Sequence, residues 1–331
     1  MVGNILKYFR TSEWVDSKVP FMLSTAVYLY LMSGKQYLNW KVYAFLFAYF
    51  IYISMFLAFS YVINDYTDMD VDKLAGKKKV MHNLPKSLIV FSMVLMVIVG
   101  VLPLLILVKS KVAFIVFTTM LYILGAAYSV PVLFRFKERG FLGLIECSVV
   151  QKCLPLIPIM YMFHVDWTGL IFFIVLSFVN GLRYIVIHQA IDYENDIKSG
   201  VKTFVSEGHN RYKVGIVLAL VTECILLIMV FFSLCMKYHF VPVVVLVYCI
   251  FEKIISIVVI EYMNVDWFCT FLAVPLESLY NVFFPVLMGL ILTLNDYRYI
   301  IYLIFLILLT FNCFKGKLAF VKVWIKSKIK K

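Results

Sequence analysis

Ser60-Tyr61-Val62-Ile63-Asn64-Asp65-Tyr66-Thr67-Asp68-Met69-Asp70-Val71-Asp72-Lys73 is the stretch in which a long apolar run turns acidic. Upstream of Asn64, residues 42 to 63 carry no charged side chain. They supply the roughly 20 residues that a helix needs to cross about 30 Å of hydrocarbon. Downstream, four aspartates fall within eight residues. A helix carried through the boundary places Asp65, Asp68 and Asp72 at i, i+3 and i+7, within about 60° of one another around its axis, and turns Asp70 elsewhere. One face of an extended span therefore presents three carboxylates where the span leaves the membrane.

The same pattern of apolar run and polar break recurs along the 331 residues. The chain is 63% hydrophobic and only 15% charged, with a mean hydropathy of +0.95, far from the composition of soluble domains. Runs bounded by charge or turn residues predict spans near 19 to 33, 42 to 63, 87 to 108, 112 to 130, 141 to 162, 167 to 191, 214 to 236, 240 to 262, 270 to 293 and 298 to 314. That is ten, with nine as the alternative. The fold class is all-α, a polytopic transmembrane helical bundle of nine to ten spans.

The basic residues orient it, because Lys and Arg next to spans stay in the cytoplasm. With the N-terminus inside, segments 1 to 18, 64 to 86, 134 to 140, 192 to 213 and 315 to 331 hold 3, 5, 3, 4 and 7 of them. The outer loops hold only Lys35, Lys41, Lys109, Lys111, Lys237 and Arg298. An even span count brings the tail from Lys315 inside, and this favours ten. A tail helix lying in the interface, with Phe320, Val321, Trp324 and Ile325 among lysines, is the competing arrangement.

The net charge of +12 sits mostly beside the spans. No interleaving of basic and aromatic residues marks a nucleic-acid module, so nucleic acid is excluded as a partner and the lipid bilayer is expected. Seven cysteines lie in or beside apolar segments without a CxxC pair, and the five histidines are scattered, which speaks against zinc. Lys7, Arg10 and Lys18 precede the first span without a small-residue cleavage site, so the N-terminus is expected to be retained.

A second acidic stretch follows the sixth span: His188-Gln189-Ala190-Ile191-Asp192-Tyr193-Glu194-Asn195-Asp196-Ile197-Lys198-Ser199-Gly200. Asp192 and Asp196 are at i and i+4 and share a helix face. Like charges this close destabilise a helix end, and a divalent cation offsets them. Hard carboxylate and amide oxygens suit Mg²⁺, which takes one or two carboxylates and completes its shell with water and phosphate oxygens. Two such clusters suit a bound diphosphate.

These residues resemble the UbiA-type membrane prenyltransferases. The first stretch is similar to the family's NDxxDxxxD motif at Asn64, Asp65, Asp68 and Asp72, and the second to DxxxD at Asp192 and Asp196. Tyr128-Ser129-Val130-Pro131-Val132-Leu133-Phe134-Arg135-Phe136-Lys137 resembles its YSxxPxxxxK stretch, and Gly200 with Thr203 its Gly-x-x-Thr. Lys77-Lys78-Lys79-Val80-Met81-His82-Asn83 departs from the Arg-Pro pair of many relatives, and a tenth span departs from their usual nine. The resemblance implies a UbiA-like bundle around a central cavity with cytosolic caps, two Mg²⁺ ions and an allylic prenyl diphosphate. It divides the chain into an N-terminal interfacial segment (1–18), a transmembrane prenyltransferase domain (19–314) and a basic cytoplasmic tail (315–331).

The expected reaction is Mg²⁺-dependent transfer of an isoprenyl chain to an aromatic or quinone-precursor acceptor in the membrane, with release of diphosphate at the cytoplasmic face. Asn64, Asp68, Asp192 and Asp196 are the expected metal ligands and catalytic residues, with Asp65 and Asp72 as further ligands. Arg135, Lys137, Lys198 and Lys202 are candidates for the phosphate oxygens, and Tyr61 and Tyr128 for the carbocation. Asn180, Arg183 and His188 are expected to form a polar stripe descending to Asp192. Ionisable residues within spans are costly and so are further candidates: Glu146, Lys152, Arg183, Glu252, Lys253 and Glu277. An intramembrane terpene cyclase or another Mg²⁺-dependent lipid transferase is the alternative enzyme. A cation-coupled transporter is the rival of another class, but its carboxylates belong near the midplane on broken helices.

Overall fold

The structure, a computed structural model, describes residues 2–34, 40–74, 76, 78–163, 167–199, 203–208, 211–263 and 276–329. Side chains at 2, 195, 196, 198, 199, 211, 256–263 and 317–329 lie outside the described set. Every regular element among the described residues is helical. In chain order these are α1 (Val2–Tyr8), α2 (Thr11–Trp14), α3 (Val19–Met32), α4 (Trp40–Thr67), α5 (Met69–Leu74), α6 (Lys86–Leu107) and α7 (Lys111–Ala127). There follow α8 (Gly140–Phe163), α9 (Trp167–Ser199), α10 (Phe204–Glu207), α11 (Arg211–Lys237), α12 (Val241–Met263), α13 (Leu276–Asn295) and α14 (Ile300–Ile329).

Seven helices among the described residues are long and apolar enough to cross a bilayer: α4, α6, α8, most of α9 and α11, α13, and the stretch Tyr297–Gly316. The expected spans at 19 to 33 and 112 to 130 form the shorter apolar helices α3 and α7, of 14 and 17 residues. The expected span at 240 to 262 is α12, and that at 270 to 293 is described from residue 276. The basic tail is continuous with the last span, since α14 runs unbroken to Ile329.

The chain forms two compact units, Met1–Val15 with Tyr28–Ala219, and Asp16–Val27 with Leu220–Lys331. In the first, α4 packs mainly against α6. Their backbones approach at Gly100, where a Cβ would stand 2.8 Å from Met55 Cβ and 3.1 Å from the Tyr122 hydroxyl. Small residues serve this purpose in membranes, where packing replaces the hydrophobic effect between helices. The 28 residues of α4 extend about 42 Å, longer than the roughly 30 Å of hydrocarbon.

The expected fifth span is interrupted. Within α8 a π-helical turn at Val149–Cys153 leads into a 3₁₀ turn at Leu154–Leu156. Pro155 and Pro158 lack the amide hydrogens that an uninterrupted helix needs. The Tyr49 hydroxyl donates to the Pro155 carbonyl at 2.8 Å, which satisfies an acceptor left over by the break.

The second unit buries a polar cluster that the apolar pattern conceals. Glu223 of α11 is fully buried and accepts from the Tyr280 hydroxyl at 3.3 Å. Ser278 donates to Glu252, and Asn281 Nδ2 donates to Glu277 at 3.3 Å. Glu223 is absent from the in-span candidates named from sequence, although one carboxylate in a long apolar run is itself the signal.

Candidate active site

All of the site described here belongs to the first unit. At the end of α4 the Thr67 hydroxyl donates to the Asn64 carbonyl at 2.9 Å, in competition with the Asp68 amide, which reaches the same carbonyl at 3.2 Å. Such side-chain bonding bends helices. The α-helix stops at Thr67, and α5 restarts at Met69.

The three carboxylates expected on one face consequently divide. Asp65 and Asp72 are both buried and share one cation: Lys79 Nζ lies 2.6 Å from Asp65 Oδ1 and 2.5 Å from Asp72 Oδ2. Arg10 adds a second bond to Asp65 Oδ1 at 3.0 Å and holds Glu13 with the rest of its guanidinium. Its charge also stands over the Tyr61 ring, 5.0 Å from the centroid, so Tyr61 is occupied by a protein cation. Burial works against the charge of Lys79, yet the two carboxylates outweigh it and hold its pKa above the ordinary lysine value.

Asp68 faces a different group of residues. Lys137 Nζ lies 2.5 and 2.6 Å from the two Asp68 oxygens and 3.1 Å from Asn64 Oδ1. Three hard oxygens from successive turns thus converge on a single cationic centre. The Ser129 hydroxyl donates to the same Asn64 oxygen at 2.9 Å and fixes which end of the amide faces the centre. Arg135 Nη2 stands 3.5 Å from Asp68 Oδ1 while its Nε donates to Glu138. Burial lowers the Lys137 pKa below the usual lysine value, and Asp68 offsets only part of that effect.

The 128 to 139 segment reaches this position through strained backbone. Phe134 and Arg135 have φ of 97° and 46°, left-handed conformations that cost non-glycine residues on the order of 1–3 kcal/mol each and cluster at functional sites. The Lys137 amide donates to the Tyr128 carbonyl at 3.1 Å, closing the segment into a compact loop. Tyr128 is thereby tied to Lys137 through its backbone.

The second motif lies at the same end of this unit. His188 Nδ1 stands 3.0 Å from Asp192 Oδ2, with both side chains substantially exposed. From there a chain of contacts leads back to Asp68. Gln189 accepts from the Val205 amide at 3.4 Å, and the Phe204 ring lies 6.0 Å from that of Phe141. The first turn of α8 then abuts the Phe136–Lys137 backbone at Gly143, and Lys137 meets Asp68. The ends of α4 and α9, the start of α8 and the strained loop therefore share one end of the unit. The side chains of Asp196 and Lys198, and Lys202 altogether, lie outside the described residues.

The expected polar stripe on α9 is split between two environments. Asn180 and Arg183 are buried, whereas His188, 140° further around the helix by its register, is exposed to solvent. Three participants were invisible as such in sequence. Arg10 and Lys79 read as positive-inside residues, and Ser129 as part of a motif without a role; only the fold brings them to the aspartates.

Asp65→Ala is expected to lower stability by about 2 kcal/mol, because it takes the buried carboxylate from two half-buried cations and leaves Lys79 with Asp72 alone and Arg10 with Glu13 alone. Thermal unfolding of the purified protein reads this, and a double-mutant cycle with Arg10→Ala assigns the share carried by that pair. A midpoint equal to that of the parent would show that Arg10 and Lys79 are as well served by water.

Helices long and apolar enough to cross a bilayer, with the Asn64 and Asp68 oxygens gathered on Lys137 at one end, define a polytopic helical membrane protein with a charged mouth. The sequence pattern of the UbiA prenyltransferase family matches residues 21–274. A UbiA homolog from Archaeoglobus fulgidus bound to GPP and Mg²⁺ superposes with a TM-score of 0.59 at 17% identity, over 92% of this chain and 99% of that one. A UbiA homolog from the same organism bound to Cd²⁺ gives 0.54 at 16% identity, over 86% and 99%. These likenesses show a shared fold. No curated protein matches the sequence. The chain belongs to the UbiA prenyltransferase family; it is an integral membrane prenyltransferase.

Proposed function

We propose that the protein transfers an isoprenyl chain from an allylic prenyl diphosphate to an aromatic or quinone-precursor acceptor within the membrane. Diphosphate leaves at the cytoplasmic face, the side to which the positive-inside count assigns this mouth. The observation that carries the proposal is the convergence of Asn64 Oδ1 and both Asp68 oxygens on one cationic centre. The donor set fits Mg²⁺, which needs few carboxylates when phosphate and water complete its shell.

Asn64 and Asp68 would hold one ion, and Asp192 with Asp196 a second. Bound Mg²⁺ would stabilise the negative charge that grows on diphosphate as its bond to the allylic carbon breaks. Lys137 and Arg135 sit beside Asp68 and are placed to bind phosphate oxygens not taken by metal, Arg by its fork and Lys as a point charge. Ser129 keeps the Asn64 carbonyl oxygen directed at the centre. Asp65 and Asp72 serve through Lys79 and Arg10, which pin the end of α4 and the start of α5 so that Asp68 stays at the mouth. Surrounding apolar helices keep water from the allylic cation until the acceptor attacks.

The test is turnover by the purified protein with labelled allylic prenyl diphosphates of increasing length and candidate acceptors, with products identified by mass. Prenylated acceptor and free diphosphate are expected with Mg²⁺, no product after chelation, and recovery on adding Mg²⁺ back. Full turnover in chelator would overturn the metal assignment. A cyclised hydrocarbon formed without any acceptor would replace transfer by cyclisation.

A further inference from the structure

The N-terminal helix encloses a second site, separate from the Asn64–Asp68 centre. α1 lies against the start of α6 and the 78–84 loop, fastened by the hydrogen bond between Tyr8 and Ser92 at 2.6 Å. Between them runs a groove of about 730 Å³ whose walls include Ile5, Phe9, Leu84 and Leu88. It adjoins a smaller, polar recess of about 300 Å³ that includes Lys7 and Lys78. Tyr8, Lys78, Lys79 and Val80 line both. The space is therefore amphipathic, with an apolar channel that opens into a polar mouth.

The mouth carries uncompensated positive charge. Its acids, Glu13 and Asp65, are engaged by Arg10 and Lys79. The side chains of Lys7 and Lys78 form no ion pair with any described residue and are exposed. Two free lysines over an apolar channel match a head group with one negative charge on a hydrocarbon chain. A prenyl diphosphate is the poorer match, because its larger charge calls for metal and both acids here are already paired with protein cations.

We propose that this groove binds an acidic glycerophospholipid of the surrounding bilayer. Its phosphodiester lies between Lys7 and Lys78, and one acyl chain runs along Ile5, Phe9, Leu84 and Leu88. The lipid clasps α1 to the protein, and α1 leads directly into Arg10, whose bond to Asp65 steadies the aspartate-rich end of α4. The proposal stands whatever the acceptor of the transfer reaction is, since it concerns binding alone.

Native mass spectrometry of the full-length protein tests it, with phosphatidylglycerol and phosphatidylcholine of identical chains offered at equal concentration. The parent is expected to retain phosphatidylglycerol at least about tenfold better. Replacing Lys7 and Lys78 together by glutamine should cost roughly fivefold per lysine and abolish the preference. Leu88→Trp, which narrows the channel and leaves both lysines, should weaken phosphatidylglycerol binding with the elution profile unchanged. Equal retention of the two lipids by the parent, or undiminished preference in the double variant, overturns the site. Displacement of phosphatidylglycerol by geranyl diphosphate without metal, prevented by the lysine changes, overturns the lipid as occupant in favour of diphosphate.

Discussion

Asp68→Ala is expected to lower prenyl transfer by roughly 10³-fold or more while the protein remains folded and inserted. Two of the three oxygens that converge on the cationic centre belong to this side chain, so its loss removes a metal ligand and the counter-charge of Lys137 together. Asn64 alone, a neutral amide oxygen, is a weak hold on a divalent cation. The fold should persist because Asp68 and Lys137 both keep some access to water, and because the end of α4 is anchored separately through Asp65 and Lys79. The measurement is product formation at saturating Mg²⁺ and prenyl diphosphate, beside an unfolding midpoint. Wild-type turnover would remove Asp68 from the metal site. Lost turnover with a collapsed midpoint would instead assign it a structural role.

Much of this was legible in the sequence, and the failures have physical causes. The uncharged run from residue 42 to 63 located α4, because a helix in hydrocarbon has no alternative way to satisfy its backbone. The two acidic stretches were expected to meet, and the contacts from Gln189 through Phe204, Phe141 and Gly143 put both at one end of the first unit. The pairing of the aspartates was not legible. A uniform helix through Thr67 puts Asp65, Asp68 and Asp72 on one side, but the helix is interrupted at Asp68, and Lys79 takes Asp65 and Asp72 while Lys137 takes Asp68. The cation shared by Asp65 and Asp72 comes from Lys79, in a loop whose path no periodicity encodes. The π turn in α8 was hidden for a related reason: one extra residue in a single turn leaves the length and hydropathy of a span unchanged, and these were the signals that located it. Glu223 shows the opposite failure, a signal present in the letters and passed over.

Gly143→Ala should be the most damaging of the small changes, with stability falling by roughly 3 kcal/mol and the unfolding midpoint by on the order of 4 °C. A Cβ at this position would stand 2.2 Å from the Phe136 carbonyl oxygen and 3.4 Å from the Lys137 Cα. A flexible side chain could move aside, but here the obstacle is backbone, already held in the strained loop by the bond from the Lys137 amide to the Tyr128 carbonyl. Relief requires α8 to retreat or the loop to move. Moving the loop carries Lys137 and Arg135 away from Asp68, so turnover should fall even at temperatures where the variant is fully folded. Gly215→Ala provides the control, since nothing lies within 4 Å of its added Cβ, and a helix interior gains up to about 1 kcal/mol from alanine. Its midpoint and turnover should match or slightly exceed the parent's. If Gly143→Ala behaves like this control, the first turn of α8 is not what sets the position of Lys137, and the contact path from Gln189 to Asp68 is broken at that link.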